Sequence, residues 1–321
     1  MKQVFVTGGS GFVGQNLIPM LIEEGYQVKA LARSPQAVQK VEQLGAIAVR
    51  GDLTDAQQLA QGLKGCESVF HLAGSVNFFA SEEELEKIHV QATKLLLSAA
   101  KEAGVKKFID LSASSVIMNG KPIENADETF QSDHIVDGYS RTKLRAEQLV
   151  LQAHTNDFQT ISIRPPMIWG KGDNNILPAV LEAIKEGQMQ LIGGGKHHLS
   201  TAHVLNVCHA LILAERAIPS GKAYFITDGE SPVFKDFISQ YVATQGVTLP
   251  DKSVSLGMAK IIATIMEFVW KTFKLNGHPP LYKALVNTLG LEFTLKDRRA
   301  REELGYKPIV TIQQGMKLMN S

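Results

Sequence analysis

Met1-Lys-Gln-Val-Phe-Val-Thr-Gly-Gly-Ser-Gly-Phe-Val-Gly14 opens the chain, and its reading decides the fold. Val4, Phe5 and Val6 make a short apolar strand. Gly8, Gly9, Gly11 and Gly14 follow at once, and a helical pattern starts behind them. The glycines fit two spacings. One is Gly8-x-x-Gly11-x-x-Gly14; the other, Gly9-x-Gly11-x-x-Gly14, is the general dinucleotide fingerprint. Such a turn lets backbone N–H groups approach a pyrophosphate, with a helix N-terminus aimed at it. A tight strand-to-helix turn could need glycines for structure alone, so the strand before and the helix after carry the inference. Gly8, Ser10, Gly11, Phe12, Val13 and Gly14 are the candidate cofactor contacts of this turn.

Working outward, strand patterns at 4–7, 27–32, 46–50, 68–72, 107–111 and 159–164 alternate with helical patterns at 16–24, 85–104 and 137–153. In the 85–104 helix, Leu85, Ile88, Ala92, Leu95, Leu96 and Ala99 fall on one stripe. The alternation predicts an α/β fold: a Rossmann-type, doubly wound, mostly parallel sheet over residues 1–164. Pro165-Pro166 ends the regular pattern. Residues 165–321 then read as a smaller C-terminal substrate lobe with some segments returning to the sheet. It carries helices at 176–187 and 204–217 and a strand at 222–227.

Bulk properties narrow the function classes. The 321 residues are 44% hydrophobic and 20% charged, ordinary for a soluble globular chain. A net charge of +1 gives no basic field, so nucleic acid is not the expected partner. The two cysteines, Cys66 and Cys208, lack metal-ligand spacing and point to a reducing compartment. His197-His198 suggest a metal only by adjacency, so no metal site is expected. No secretory leader precedes the first strand, and the expected location is cytoplasmic. One stretch stands apart. Residues 255–273 are almost wholly apolar, interrupted by Lys260 and Glu267 and closed by Lys271 and Lys274. A buried or substrate-covering helix, a helix lying on a membrane surface, and a true span are the three readings.

Two places carry chemistry. The acid expected to grip the ribose 2′-OH of NAD lies about 20 residues past the glycines. Leu31-Ala-Arg-Ser34 stands there instead. Arg33 can pair with a 2′-phosphate through its planar fork, which favours NADP over NAD; stacked on adenine or solvated, it would leave NAD open. Asp52, followed by Leu53, suits the adenine edge, or else Asp52 or Thr54 caps a helix. Second, Tyr139-Ser-Arg-Thr-Lys143 puts a phenol and an ammonium on one helical face. A nearby positive charge is expected to lower the phenol's pKa and make it a usable proton donor and acceptor.

In order along the chain, the glycine turn, Asp52-Leu53, His71-Leu-Ala-Gly74, Tyr139-x-x-x-Lys143 and Arg164-Pro-Pro-Met-Ile-Trp-Gly170 resemble an extended short-chain dehydrogenase/reductase. Gly193-Gly-Gly195, His203-Val204, the 255–281 stretch and Asp297-Arg-Arg-Ala-Arg-Glu-Glu-Leu-Gly-Tyr-Lys-Pro308 resemble the 3β-hydroxysteroid dehydrogenase-like branch. The resemblance implies an NAD(P)-dependent oxidoreductase acting on a secondary alcohol or ketone. Tyr139 then exchanges a proton with the substrate oxygen, and Lys143 lowers its pKa and holds the nicotinamide ribose. Leu72, Ala73, Pro166 and Ile168 would line the cofactor, and His71 either closes over it or bonds the backbone. A serine is expected at the end of the fifth strand, but that position is Ala113. Ser114, or else Ser112, would serve in its place. At 89–93 the family's Asn-Val-x-Gly-Thr reads His89-Val-Gln-Ala-Thr93; His89 replaces the asparagine's bond or is an ordinary packed or solvated histidine. The apolar 255–281 segment implies a lid over a small hydrophobic substrate, sterol-like or β-keto/β-hydroxy acyl-like, with peripheral membrane contact through 255–273. A homodimer through the helices of 85–104 and 137–153 would fit the family. The competing readings are a nucleotide-sugar epimerase or dehydratase, and a cofactor-binding sensor or scaffold without turnover.

Overall fold

A computed structural model describes residues 1–77, 80–218, 221–273, 275, 277 and 279–320. Seven parallel strands form its central sheet. Five of them alternate with helices from the start of the chain. They are β1 (Gln3–Thr7), β2 (Gln27–Ala32), β3 (Ile47–Arg50), β4 (Ser68–His71) and β5 (Lys107–Leu111). After a short β6 (Ile123–Ala126) the sheet gains β7 (Gln159–Arg164). Beyond β8 (Met167–Trp169), β9 (Leu191–Ile192) and β10 (Thr201–His203) it gains β11 (Ala223–Phe225). Across the sheet the order is β11-β7-β5-β4-β1-β2-β3, so the direction of winding reverses at β1. Crevices at the carboxyl ends of strands near such a reversal are where ligands bind in open α/β sheets.

Alternation along β1 builds both faces of the core. Val4 and Val6 pack under α1 (Phe12–Glu23), with Leu17, Ile18 and Leu21. Phe5 faces the other way, onto Leu59 and Leu63 of α3 (Ala56–Leu63) and Leu96 and Ala100 of α5 (Ala92–Glu102). Between α1 and α3 lies α2 (Pro35–Gln43), capped by Ser34. The strand β11 reaches the sheet from the C-terminal part of the chain, and α8 (Val204–Arg216) packs on α1 with Val207 and Leu211 in the first core.

Several sequence expectations need correction. The helix after the glycine turn starts at Phe12, four residues before the expected 16. The expected helix of 85–104 begins earlier and is interrupted: α4 (Glu82–Leu85), a π-helical segment Glu86–Gln91, then α5. Its apolar stripe is only partly right, because Ile88 and Leu95 stay exposed while His89 and Thr93 are buried. Hydrophobic periodicity registers apolar burial alone, and these two polar residues are buried because each has hydrogen-bond partners. Helix α6 (Gly138–Gln152) follows as expected, capped by Asp137.

Beyond β8 a second core gathers Trp169, Phe225, Phe237, Tyr241 and Phe293. It is built between α7 (Ile176–Lys185), α9 (Phe234–Ala243) and β13 (Phe293–Leu295), which pairs with β6; β12 (Ser253–Val254) pairs with β9. The apolar stretch forms α10 (Leu256–Phe273), which buries only Ala259 and Ala263, and α11 (Lys283–Leu289) packs against it. Met258, Ile261, Ile265 and Phe268 are exposed along one side of α10. No described helix is long and apolar enough to cross a membrane, which removes the spanning reading. Lys274, expected to close the stretch, lies outside the described residues.

Candidate active site

The glycine turn is shaped for close approach. Gly8 takes φ +70°, a left-handed conformation, and a Cβ there would lie 2.8 Å from the Ala73 nitrogen. A Cβ at Gly14 would lie 2.4 Å from the Gly8 carbonyl oxygen. The Gly11 N–H donates to the Gly8 oxygen at 3.0 Å, closing the turn. Gly11 caps α1 and supplies no side chain to its first N–H groups. Those donors and the positive end of the helix dipole face the turn, a setting that fits a pyrophosphate. Ser10 is half-buried at the turn, and Phe12 and Val13 are buried just behind it. The main chain of Leu72 and Ala73 closes the other side, where the Ala73 N–H donates to the Thr7 hydroxyl at 3.2 Å.

His71 is not a lid. It is buried, with Nδ1 2.8 Å from the Thr7 hydroxyl and Nε2 2.9 Å from the Thr93 hydroxyl. Burial pushes its pKa down to about 3, so the imidazole stays neutral. It ties β1, β4 and α5 together beneath the turn, through side chains rather than through the backbone.

At the end of β2, the Arg33 side chain is 84% exposed, with Nη1 3.5 Å from the Asp52 carboxylate. A guanidinium so exposed is open to a phosphate. Asp52 neither caps α3 nor stands free, since Asp55 is the cap. Its Oδ1 accepts from the Thr54 N–H at 2.9 Å and the Thr54 hydroxyl at 2.7 Å. These bonds, the backbone one foremost, hold its carboxyl below the usual carboxylate range. Leu53 is half-buried against the core of the α3 face.

Tyr139 and Lys143 share the buried face of α6, 8% and 9% exposed. The Lys143 ammonium donates to the Leu111 carbonyl at 2.8 Å, at the carboxyl edge of β5. The expected lowering of the phenol's pKa is not found. Burial first, then the Asp137 carboxylate, raises it, and the phenol stays protonated. A protonated phenol is a proton donor. One turn further along the same face, Glu147 receives Arg164 at 2.7 and 2.5 Å.

The serine loop leaves Ala113 extended, before a 3₁₀ turn at Ser114–Ile117. Ser112 and Ser115 have buried hydroxyls with no partner among the described residues. Ser112 directly follows β5, and its N–H donates to the Ile163 carbonyl at 2.8 Å. Ser114 is buried, and its N–H donates to the Pro165 carbonyl at 2.9 Å. Pro166 is buried beside it; Ile168, on β8, is half-buried against the first core. Of the paired histidines, His197 stacks on Phe234 and His198 lies 3.3 Å from Glu292. No His, Cys, Asp or Glu cluster able to hold a metal occurs among the described residues.

His89 is more firmly held than its sequence context indicates. It is 2% exposed, within the π-helical segment. Its Nδ1 lies 2.8 Å from the Thr142 hydroxyl on α6, and its Nε2 3.1 Å from the Ser75 backbone N–H. Its ring meets Tyr139 edge-on, with centroids 5.5 Å apart. It is therefore a bonded bridge rather than a loosely packed histidine. Asp110 was missed entirely. It is 2% exposed, bonded to the Ser162 hydroxyl at 2.8 Å, and its pKa is pushed up to about 6, by burial above all.

Known proteins match this architecture. Residues 5–256 match the 3-beta hydroxysteroid dehydrogenase/isomerase family. The chain is 37% identical to the 4-hydroxy-2-methyl-3-oxo-4-farnesyl-3,4-dihydroquinoline-1-oxide ketoreductase of Stigmatella aurantiaca, over 98% of this chain and 94% of the relative. It is 32% identical to the 2-alkyl-3-oxoalkanoate reductase of Stenotrophomonas maltophilia, over 99% and 98%. The crystal structure of UDP-glucose 4-epimerase from Thermotoga maritima superposes with a TM-score of 0.76 at 20% identity. It covers 99% of this chain and 97% of that one, and it shows likeness of fold alone.

Proposed function

The chain belongs to the 3-beta hydroxysteroid dehydrogenase/isomerase family, and on that premise we propose an NADP-dependent reductase of ketones on hydrophobic, sterol-like or β-keto acyl-like molecules, with the secondary alcohol as the reverse substrate. One observation carries the reading. A buried, protonated phenol at Tyr139 lies one helical turn from Lys143, at the same carboxyl edge of the sheet as the glycine turn.

A nicotinamide dinucleotide, when bound, would supply the hydride for the carbonyl carbon. The glycine turn and the α1 N-terminus would hold its pyrophosphate, and the exposed Arg33 would pair with a 2′-phosphate. Lys143, anchored on the Leu111 carbonyl, would hold the nicotinamide ribose. Tyr139 gives its proton to the carbonyl oxygen as negative charge develops there. The hydroxyls of Ser112 and Ser114 are the candidates to hold that oxygen, and the unpartnered burial of Ser112 supports it. The relatives named for ketoreduction and oxoalkanoate reduction support an apolar ketone. So does the exposed row Met258, Ile261, Ile265 and Phe268, which suits contact with a lipid surface from which such a substrate is drawn. An apolar helix gives little grip to a nucleotide sugar. Ile88 and Leu95, left exposed, support pairing of two copies over these helices.

The test is a turnover screen of steroid and 2-alkyl-3-oxo acyl ketones with NADPH and with NADH. Oxidation of NADPH on at least one apolar ketone, with NADH the poorer coenzyme, is the expected result. Tight coenzyme binding with no turnover on any ketone would favour a non-catalytic sensor.

A further inference from the structure

Away from the glycine turn, a cavity of about 310 Å³ opens between α10, α11 and the loop after β5. Gly120, Lys260, Thr264, Lys283 and Asn287 line it. The fold brings Lys260 of α10 and Lys283 of α11 together from 23 positions apart. Neither ammonium is paired with a carboxylate among the described residues; the Glu267 carboxylate nearby accepts the Lys283 backbone N–H at 2.7 Å. Two like charges lining one cavity repel each other, and a bound anion relieves that repulsion. The Asn287 amide adds a neutral donor, and a Cβ at Gly120 would lie 3.9 Å from it.

The cavity lies near the N-terminal end of the helix that carries Tyr139. A Cβ at Gly120 would lie 3.0 Å from the Val136 side chain, and Val136 precedes Asp137, the cap of the helix that carries Tyr139. Tyr282, just before α11, also feels Asp137, whose charge adds to burial in raising its pKa. Apolar side chains of α10 lie exposed nearby. A ligand filling this region meets Lys260, Lys283 and Asn287, with apolar side chains exposed on the same helix as Lys260.

We infer that Lys260 and Lys283 form an anion subsite that reads a carboxylate or phosphate on the hydrophobic substrate. The inference rests on the reductase reading above and deepens it by making the substrate an anionic amphiphile. Both lysines are exposed, so replacing them leaves the core untouched. The experiment compares KM for a long-chain 2-alkyl-3-oxoalkanoic acid, its methyl ester and its coenzyme A thioester. Wild-type protein is expected to show a KM for the acid about tenfold below that for the ester. Lys260→Met with Lys283→Met erases that difference and leaves the ester unchanged, while Lys260→Arg with Lys283→Arg keeps it. If only the thioester weakens, the anion is a phosphate of the coenzyme A arm and the subsite stands. Equal losses for acid and ester, or no change in either, overturn it. Calorimetric binding of the 3-hydroxy acid and its methyl ester needs no turnover and separates the two claims. Binding that ignores the lysines overturns the subsite even where ketones are reduced. Lysine-dependent acid binding without turnover overturns the reductase reading alone.

Discussion

Asp110 sits one residue below the carbonyl that receives the Lys143 ammonium. Its folded pKa of about 6 stands above the ordinary 3.8, with burial the main cause. Between those values the native state holds a proton that the unfolded chain has released. Stability is therefore untouched by this group below about pH 4 and is lost as pH rises toward 6. Asp110→Asn keeps an acceptor for Ser162 and removes the buried charge. Urea melts are expected to show the variant more stable by on the order of 1–3 kcal/mol near pH 8 and no more stable near pH 4. An equal gain at both would contradict the burial account. Asp110 and Ser162 were illegible in the sequence because their bond joins strands 52 residues apart. Tyr139 and Lys143 were legible because one helical turn relates them. Their electrostatics were not, since burial and Asp137 outweigh what the nearby lysine was expected to do.

At the scale of elements, the glycine turn was read almost whole. Its strand, its turn and its helix are contiguous, so local chemistry specifies them. The segment 82–102 was read only in part. Glu82 receives Arg141 and Arg145 of α6, each at 2.7 Å, and His89 adds the bond to Thr142. The segment before α5 is thus clamped to the helix that carries Tyr139, and a polar clamp leaves no hydrophobic signature. His89→Ala leaves the Ser75 backbone N–H without its partner and removes one bond of the Thr142 hydroxyl, which keeps those to the Gly138 and Tyr139 carbonyls. Thermal melts are expected to show a loss of about 1–3 kcal/mol, with His89→Asn recovering part of it. Unchanged stability in the alanine variant would mean that His89 holds nothing.

Across the whole molecule, the later chain is knit to the sheet by buried polar groups. The Asp228 carboxylate accepts from the Trp169 indole at 2.7 Å, the Thr201 hydroxyl at 2.8 Å, the His203 N–H at 2.6 Å and the Asn206 amide at 2.7 Å. Asn206 in turn accepts from the backbone N–H groups of Ile309 and Val310. The sequence showed where regular alternation stops, at Pro165-Pro166, but not this hub, whose members are scattered from 169 to 310. The hub ties β8, β10 and α8 to the segment just after β11, at the sheet's carboxyl edge, where the glycine turn follows β1 and Lys143 reaches the end of β5. In the proposed reaction this edge moves a hydride and a proton together, with Tyr139 as the proton's source. The most direct measurement is NADPH oxidation by Tyr139→Phe on the best ketone of the screen, alongside its NADPH dissociation constant. A kcat about 10²–10⁴-fold lower with coenzyme affinity unchanged is expected. A variant that turns over as the wild type does would contradict it.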